Sequence, residues 1–357
     1  MAVDLEKILR LVVSRNCSDV HFHVGRPPTV RLDGRLRSLD LAVLNPDDTQ
    51  RVVELITPER CRREVQEEGG ADFAYPFENG VRFRVAVYRE RGNHAAAMRL
   101  LPNNMMSFEQ IGLPMSIKNL LLKPRGLVLV TGPTGSGKTT TLATMLDFIN
   151  TEQDRHIITI EDPIEYYHDH KKCLVTQREV HVDIPSFGEA TRRALRQDPD
   201  VILVGEMRDL ETMEAAIRAA ETGHLVLATL HTTGAAKTVN RIIDAFPTQQ
   251  QEQIRTQLST SLLAVISQEL LPKSGGGRVA AFEIMVMTAS ISHLIRENQV
   301  HKIISDIQTG KRHGMVLLDD FLADLYRSGQ VEFAEAMKRA QDPTALQQKI
   351  KESLPEE

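Results

Sequence analysis

The stretch 127–150, LVLVTGPTGSGKTTTLATMLDFIN, constrains the fold more than any other part of the chain. Within it Gly132, Pro133, Thr134, Gly135, Ser136, Gly137, Lys138 and Thr139 satisfy G-x-x-x-x-G-K-[ST], with Thr140 directly after. An apolar run precedes the loop and an amphipathic segment follows, the strand–loop–helix context that the motif needs. Glycines let such a loop curl its N–H groups around phosphate oxygens, at a helix N-terminus that favours anions. In that geometry Lys138 reaches the β- and γ-phosphates of ATP, and the Thr139 hydroxyl ligates Mg²⁺. A flexible glycine loop before a helix, without a ligand, is the plain alternative.

The flanking pattern fits a phosphate loop on a parallel sheet. Short β-branched or leucine-rich runs at 127–131, 157–160, 201–204 and 225–229 alternate with helical segments, which implies an α/β nucleotide-binding domain. The run DVILVGEMRD (200–209) puts Glu206 where a carboxylate holds Mg²⁺, usually through water, or polarises the attacking water. The run IITIEDPIEY (157–166) ends in Glu161, Asp162 and Glu165, which repel one another unless a cation or water network lies among them. A solvated acidic turn before Pro163 is the alternative there. In TGHLVLATLHTTGA (222–235), His224 and His231 stand at opposite ends of a strand. Their odd spacing puts them on opposite faces, so they cannot share a ligand through the strand alone. His231, at the end near the other sites, is the better γ-phosphate sensor.

The first hundred residues carry a different pattern. Leu5, Ile8, Leu9 and Val12 share one helical face. PTVRLDGRLRSL (28–39) alternates across an Asp33-Gly34 turn, a hairpin signature. Val81, Phe83, Val85 and Val87 then alternate with Arg82, Arg84 and Ala86. A small α+β domain over 1–102 accounts for this, with the turn-rich 103–120 as a linker and 121–357 as the second domain. From about residue 250 the pattern is mainly helical, with one glycine-led strand in KSGGGRVAAFEIMVM (273–287) and a charged tail (342–357) that frays.

Composition narrows the function classes. Aromatic residues make up 4% with no Trp, a poor basis for base stacking, and the net charge of -5 gives no global pull toward nucleic acid or an anionic bilayer. Cys17, Cys61 and Cys173 form no CxxC pair, which speaks against a zinc site or disulfide framework and fits a reducing compartment. The opening MAVDLEKILRLVVSRN carries charges through its apolar part and reads as a helix, not a signal peptide. No run reaches the 18 or so apolar residues that span a bilayer. The expected location is the cytoplasm, with another protein holding the chain at any membrane.

In order and spacing, the phosphate loop, the Glu165 box, the Glu206 strand and the His231 box resemble the Walker A, Asp box, Walker B and His box of the type II/IV secretion ATPase superfamily. Within it, the likeness is to the type IV pilus retraction ATPases. It runs from CSDVHFHVGRPPTVRLDGRLR (17–37) to SDIQTGKRHGM (305–315), through ALRQDPDVILVGEMRDLET, AAETGHLVLATLHTTGAAKTVNRIIDAFP and GGGRVAAFEIM. The resemblance implies an N-terminal α+β PAS-like domain followed by a RecA-like P-loop ATPase domain with C-terminal helices. It also implies a ring-shaped homohexamer, with ATP bound between the two domains and completed by a neighbouring subunit. Glu165 is then the general base, Glu206 the Walker B acid and His231 the phosphate-facing histidine, while Arg84 and Arg99 reach ATP. Arg82 and Arg89 read as exposed strand-face arginines.

The implied machine works at the cytoplasmic face of the inner membrane, bound through a pilus platform protein. It returns pilin subunits to the bilayer and contacts no nucleic acid directly. SISHLIRE (290–297) resembles the retraction signature AIRNLIRE, matching at Leu294, Ile295, Arg296 and Glu297 and departing at Ser290, Ser292 and His293. Assembly ATPases of the superfamily carry a further N-terminal domain and a tetracysteine zinc module, and this chain has no CxxC. The alternatives are such an assembly ATPase, an accessory paralogue of the retraction motor, a retraction motor that serves DNA uptake, a RecA-like nucleic-acid translocase and a non-enzymatic nucleotide-dependent scaffold.

Overall fold

A computed structural model describes residues 4–351 apart from 33, 103 and 104. The chain divides into two compact units, Met1–Asn104 with Pro163–Tyr167, and Met105–Asp162 with His168–Glu357.

The first unit is built on an antiparallel sheet of six strands: β1 (Asp19–Phe22), β2 (Thr29–Leu32), β3 (Arg35–Ser38), β4 (Gly70–Pro76), β5 (Arg82–Glu90) and β6 (Asn93–Leu100), in the order β3-β2-β1-β6-β5-β4. Strand periodicity decides its faces. Phe83, Val85 and Val87 of β5 join Val20, Phe22 and Met98 in a core that also takes Leu5, Ile8, Leu9 and Val12 of the helix Leu5–Ser14. On the opposite face, the register aligns Arg31, Asp19, Arg99 and Arg84 in one row across β2, β1, β6 and β5. Leu32 pairs with Arg35, so β2 and β3 form the expected hairpin, with Gly34 at φ +77 in its turn. Asp33 of that turn lies outside the described residues.

The second unit holds a seven-stranded sheet: β7 (Gly126–Thr131), β8 (His156–Glu161), β9 (Leu174–Glu179), β10 (Val201–Val204), β11 (Leu225–Leu230), β12 (Leu262–Pro272) and β13 (Arg278–Val286). Their order is β13-β12-β7-β11-β10-β8-β9, parallel throughout except for the antiparallel β12–β13 pair. Both faces are buried. Leu127, Leu129, Ile202 and Val204 enter one core, and Val128, Val130, Val201 and Leu203 enter the other. This double burial is why the strands read as unbroken apolar runs.

Three expectations are corrected. LLAVISQELLP, read as part of a helical region, is the 11-residue strand β12. Its apolar opening, 262–266, is a continuous run with no period that separates a buried strand from a buried helix. The expected linker 103–120 contains the helices Phe108–Ile111 and Ser116–Leu121, whose Phe108, Ile111, Ile117 and Leu121 are core residues of the second unit. The tail forms the helix Pro343–Lys351 with Leu346 and Ile350 buried, and 352–357 lie outside the described residues. Among the described residues, no helix is long and apolar enough to cross a membrane.

Candidate nucleotide site

Parallel neighbours open their carboxyl ends on one sheet edge, where α/β proteins place their ligands. Thr131 of β7 pairs with Leu230 of β11, so the phosphate loop and His231 leave the sheet side by side. Val204 of β10 pairs with Ala228 and with Ile160, which brings Glu206 and Glu161 to the same edge.

Gly132 and Gly137 of the loop are required by what surrounds them. Gly132 has φ +142, and a Cβ there would collide with the Gln268 carbonyl oxygen. At Gly137, with φ +88, a Cβ would lie 2.9 Å from Gln268 Nε2. Gln268 reaches the loop from β12, accepting from Thr141 Oγ1 at 2.7 Å and donating to the Ser136 carbonyl at 2.7 Å. No motif points to Gln268; the available signal is a polar residue following an apolar run. Gln268→Leu is expected to cost about 1–3 kcal/mol, because it leaves the Thr141 hydroxyl unpaired and frees the Ser136 carbonyl. It should also raise the KM for ATP several-fold. Urea unfolding and an ATP titration check the two effects.

Lys138 Nζ donates to the carbonyls of Gly132 (2.8 Å) and Pro133 (3.0 Å), which holds the ammonium at the loop where phosphate oxygens would take their place. Among the described residues Ser136 Oγ is buried without a partner, an orphan that a phosphate oxygen would satisfy. Thr134 and Gly135 form the exposed rim, Pro133 is half-buried, and Thr139 and Thr140 begin the first turn of the helix Lys138–Glu152. No group of three or more His, Cys, Asp or Glu among the described residues could hold a metal ion. A Mg²⁺ ion here fits hard oxygen donors, the Thr139 hydroxyl and the Glu206 carboxylate, completed by phosphate and water.

Glu206 Oε1 lies 2.7 Å from Arg208 Nε and 3.0 Å from His231 Nε2. Burial pushes the carboxyl up, but the Arg208 hydrogen bond, the neighbouring His231 and the Arg208 charge outweigh it and hold it below the usual carboxylate range. Arg208 is raised in turn, chiefly by its hydrogen bond to Glu206. His224 makes no part of this group. Its Nδ1 donates to the Ala219 carbonyl at 3.0 Å, at the opposite end of β11.

The acidic trio is divided. Glu161 is buried at the end of β8, accepting from Thr159 Oγ1 (2.6 Å) and Gln177 Nε2 (3.2 Å). Asp162 is exposed, and Glu165 is half-buried in Pro163–Tyr167, the segment that belongs to the first unit. In that unit Arg82 overturns its expected exposure. Only 5% accessible, it donates to the carbonyls of Ile164 (2.6 Å) and Glu165 (2.9 Å), and its guanidinium lies 3.5 Å from the Tyr167 ring centroid. Arg82 therefore shapes the backbone that carries Glu165.

Arg84 and Arg99 are directly opposite one another on β5 and β6. Like charges so placed are unfavourable unless an anion lies between or beside them. Asp19 supplies one, accepting from Arg99 Nε at 2.8 Å and lying 3.7 Å from Arg31 Nε. Burial would raise the Asp19 carboxyl, but the Ser18 and Arg99 hydrogen bonds hold it low.

The family model described as "Type II/IV secretion system protein" matches residues 3–338. The type IV pilus retraction ATPase PilT of Pseudomonas aeruginosa is 47% identical over 341 residues, spanning 96% of this chain and 99% of that protein. A twitching motility protein of Neisseria gonorrhoeae is 46% identical over 320 residues, 89% of this chain and 86% of its own length. The crystal structure of the pilus retraction motor PilT with bound ADP superposes with a TM-score of 0.90 at 47% identity, covering 97% of this chain and 99% of that one. By these measures the chain belongs to the type II/IV secretion system protein family.

Proposed function

We propose that this chain is an ATP hydrolase that powers pilus retraction as a homohexamer. What carries the reading is the near-full-length likeness to a retraction ATPase, together with a phosphate loop, Glu206 and His231 at one sheet edge. When ATP binds, its phosphates replace the loop carbonyls on Lys138. Thr139 and Glu206 would hold Mg²⁺, which would neutralise phosphate charge when bound. Glu165 takes the proton of the attacking water, whose oxygen bonds the γ-phosphorus as the bond to the ADP oxygen breaks. Arg84 and Arg99 supply cations to the γ-phosphoryl charge, and His231 senses it from beside Glu206.

The difference between ATP-bound and ADP-bound contacts supplies the free energy for motion. The ring turns a pilus platform protein from the cytoplasmic face of the inner membrane, and pilin subunits return to the bilayer. Deleting the gene in its host and counting surface pili alongside a twitching assay tests this. Abundant pili without twitching is the expected result. Loss of pili would make the chain an assembly motor, and unchanged pili and motility would overturn both readings.

A further inference from the structure

The motif GGGRVAAFEIM (275–285) has no part in the chemistry above, yet its one acid is buried. Glu283 on β13 is 4% accessible and stands directly across from Ser267 on β12. These two neighbours receive two successive amides of the loop that follows His231. Gly234 N–H donates to Ser267 Oγ at 2.9 Å and Ala235 N–H to Glu283 Oε1 at 2.7 Å. The second carboxylate oxygen faces the other way, accepting from Gln341 Nε2 at 2.8 Å. Gln341 is itself fixed, because Asp319 accepts from the Gln341 and Asp342 amides at 2.8 and 2.9 Å.

Resting on the reading of His231 given above, we infer that Glu283 is a positioning residue that ties the C-terminal helices to the His231 loop. The physical case is one of short reach. His231 is three residues from Gly234, and Thr232 Oγ1 is pinned to Thr238 Oγ1 at 2.7 Å, so a shift at the start of the helix Ala235–Asp244 is passed directly to the imidazole. That imidazole is held by a 3.0 Å contact with Glu206. The C-terminal helices pack on the same strands, with Leu318, Leu322, Leu346 and Ile350 against Leu271 and Ala281. Glu283 is the polar link between that packing and the nucleotide edge. Movement of the C-terminal helices is thereby felt at His231.

The test is steady-state ATP hydrolysis by the full chain carrying Glu283→Ala, Glu283→Gln, Gln341→Ala or His231→Ala, and by the His231→Ala/Gln341→Ala double variant. Glu283→Ala and Gln341→Ala should lower kcat about tenfold with the KM for ATP within about twofold, the pattern of lost orientation without lost binding. Glu283→Gln keeps an oxygen for the Ala235 amide and, with the Gln341 amide turned over, both contacts; it should return to within about threefold of the parent. The double variant should be no slower than His231→Ala alone, because the two changes act through one group. Parent-like kcat in Gln341→Ala, or losses that multiply in the double variant, would overturn the inference while leaving the reading of the site intact. Parent-rate hydrolysis by His231→Ala would instead remove that reading and the inference with it. Gln341 is exposed, so its variant decides the matter even where Glu283→Ala fails to fold.

Discussion

Lys138→Ala is expected to reduce ATP hydrolysis by about 10²–10³-fold or more and to weaken nucleotide binding, while the fold survives. The lysine is 9% accessible and its ammonium rests on two carbonyls of its own loop. Those carbonyls lie at the sheet edge, where water replaces the lost donor, so the stability cost should stay near 1 kcal/mol. The catalytic cost is larger because phosphoryl transfer depends on positioning and on charge placed in advance against the γ-oxygens. A short neutral side chain supplies neither. Phosphate release at saturating ATP, read beside a thermal melt, separates the two effects. A variant that melts like the parent and hydrolyses like the parent would show that the loop does not serve as a phosphate site.

Much of the candidate nucleotide edge is visible in the sequence because its signals are local. The loop's glycines and Lys138 lie within seven consecutive positions, 132–138, and the strands are short apolar runs. Period-two alternation around Arg82–Val87 likewise fixed which side of β5 meets the core. What was not legible comes from residues brought together across long stretches of chain. Arg82 reads as a strand-face cation until Ile164, 82 residues away, accepts its hydrogen bond. Gln268 meets Thr141 across 127 positions. Glu283 gives no functional signal because its partners, Ala235 and Gln341, come from opposite directions along the chain. β12 escaped for a separate reason. Buried strands and buried helices can present the same apolar run, and length did not arbitrate for an element of 11 residues.

Glu206→Gln should lower hydrolysis by about 10²-fold or more while ATP still binds, which distinguishes it from Lys138→Ala. The substitution keeps a hydrogen-bonding oxygen for Arg208 or His231 but removes the charge that pairs with both, and the charge that would hold Mg²⁺ through water. Stability should fall as well, by about 1 kcal/mol at neutral pH, because the half-buried Glu206 loses the charge that pairs with Arg208, an exposed partner whose attraction water screens. The pH dependence carries the sign that tests the cause. Glu206 has a folded pKa below its unfolded value, so its contribution is fully present above the unfolded value, about 4.3. It is lost as pH falls through the lower folded value. The gap in unfolding free energy between parent and Glu206→Gln should therefore be wide at pH 7 and close progressively below about pH 4. Urea titrations at the two pH values measure it. A gap that stays constant would mean that shape, not charge pairing, sets the stability at this edge, and the low carboxyl pKa would need another source.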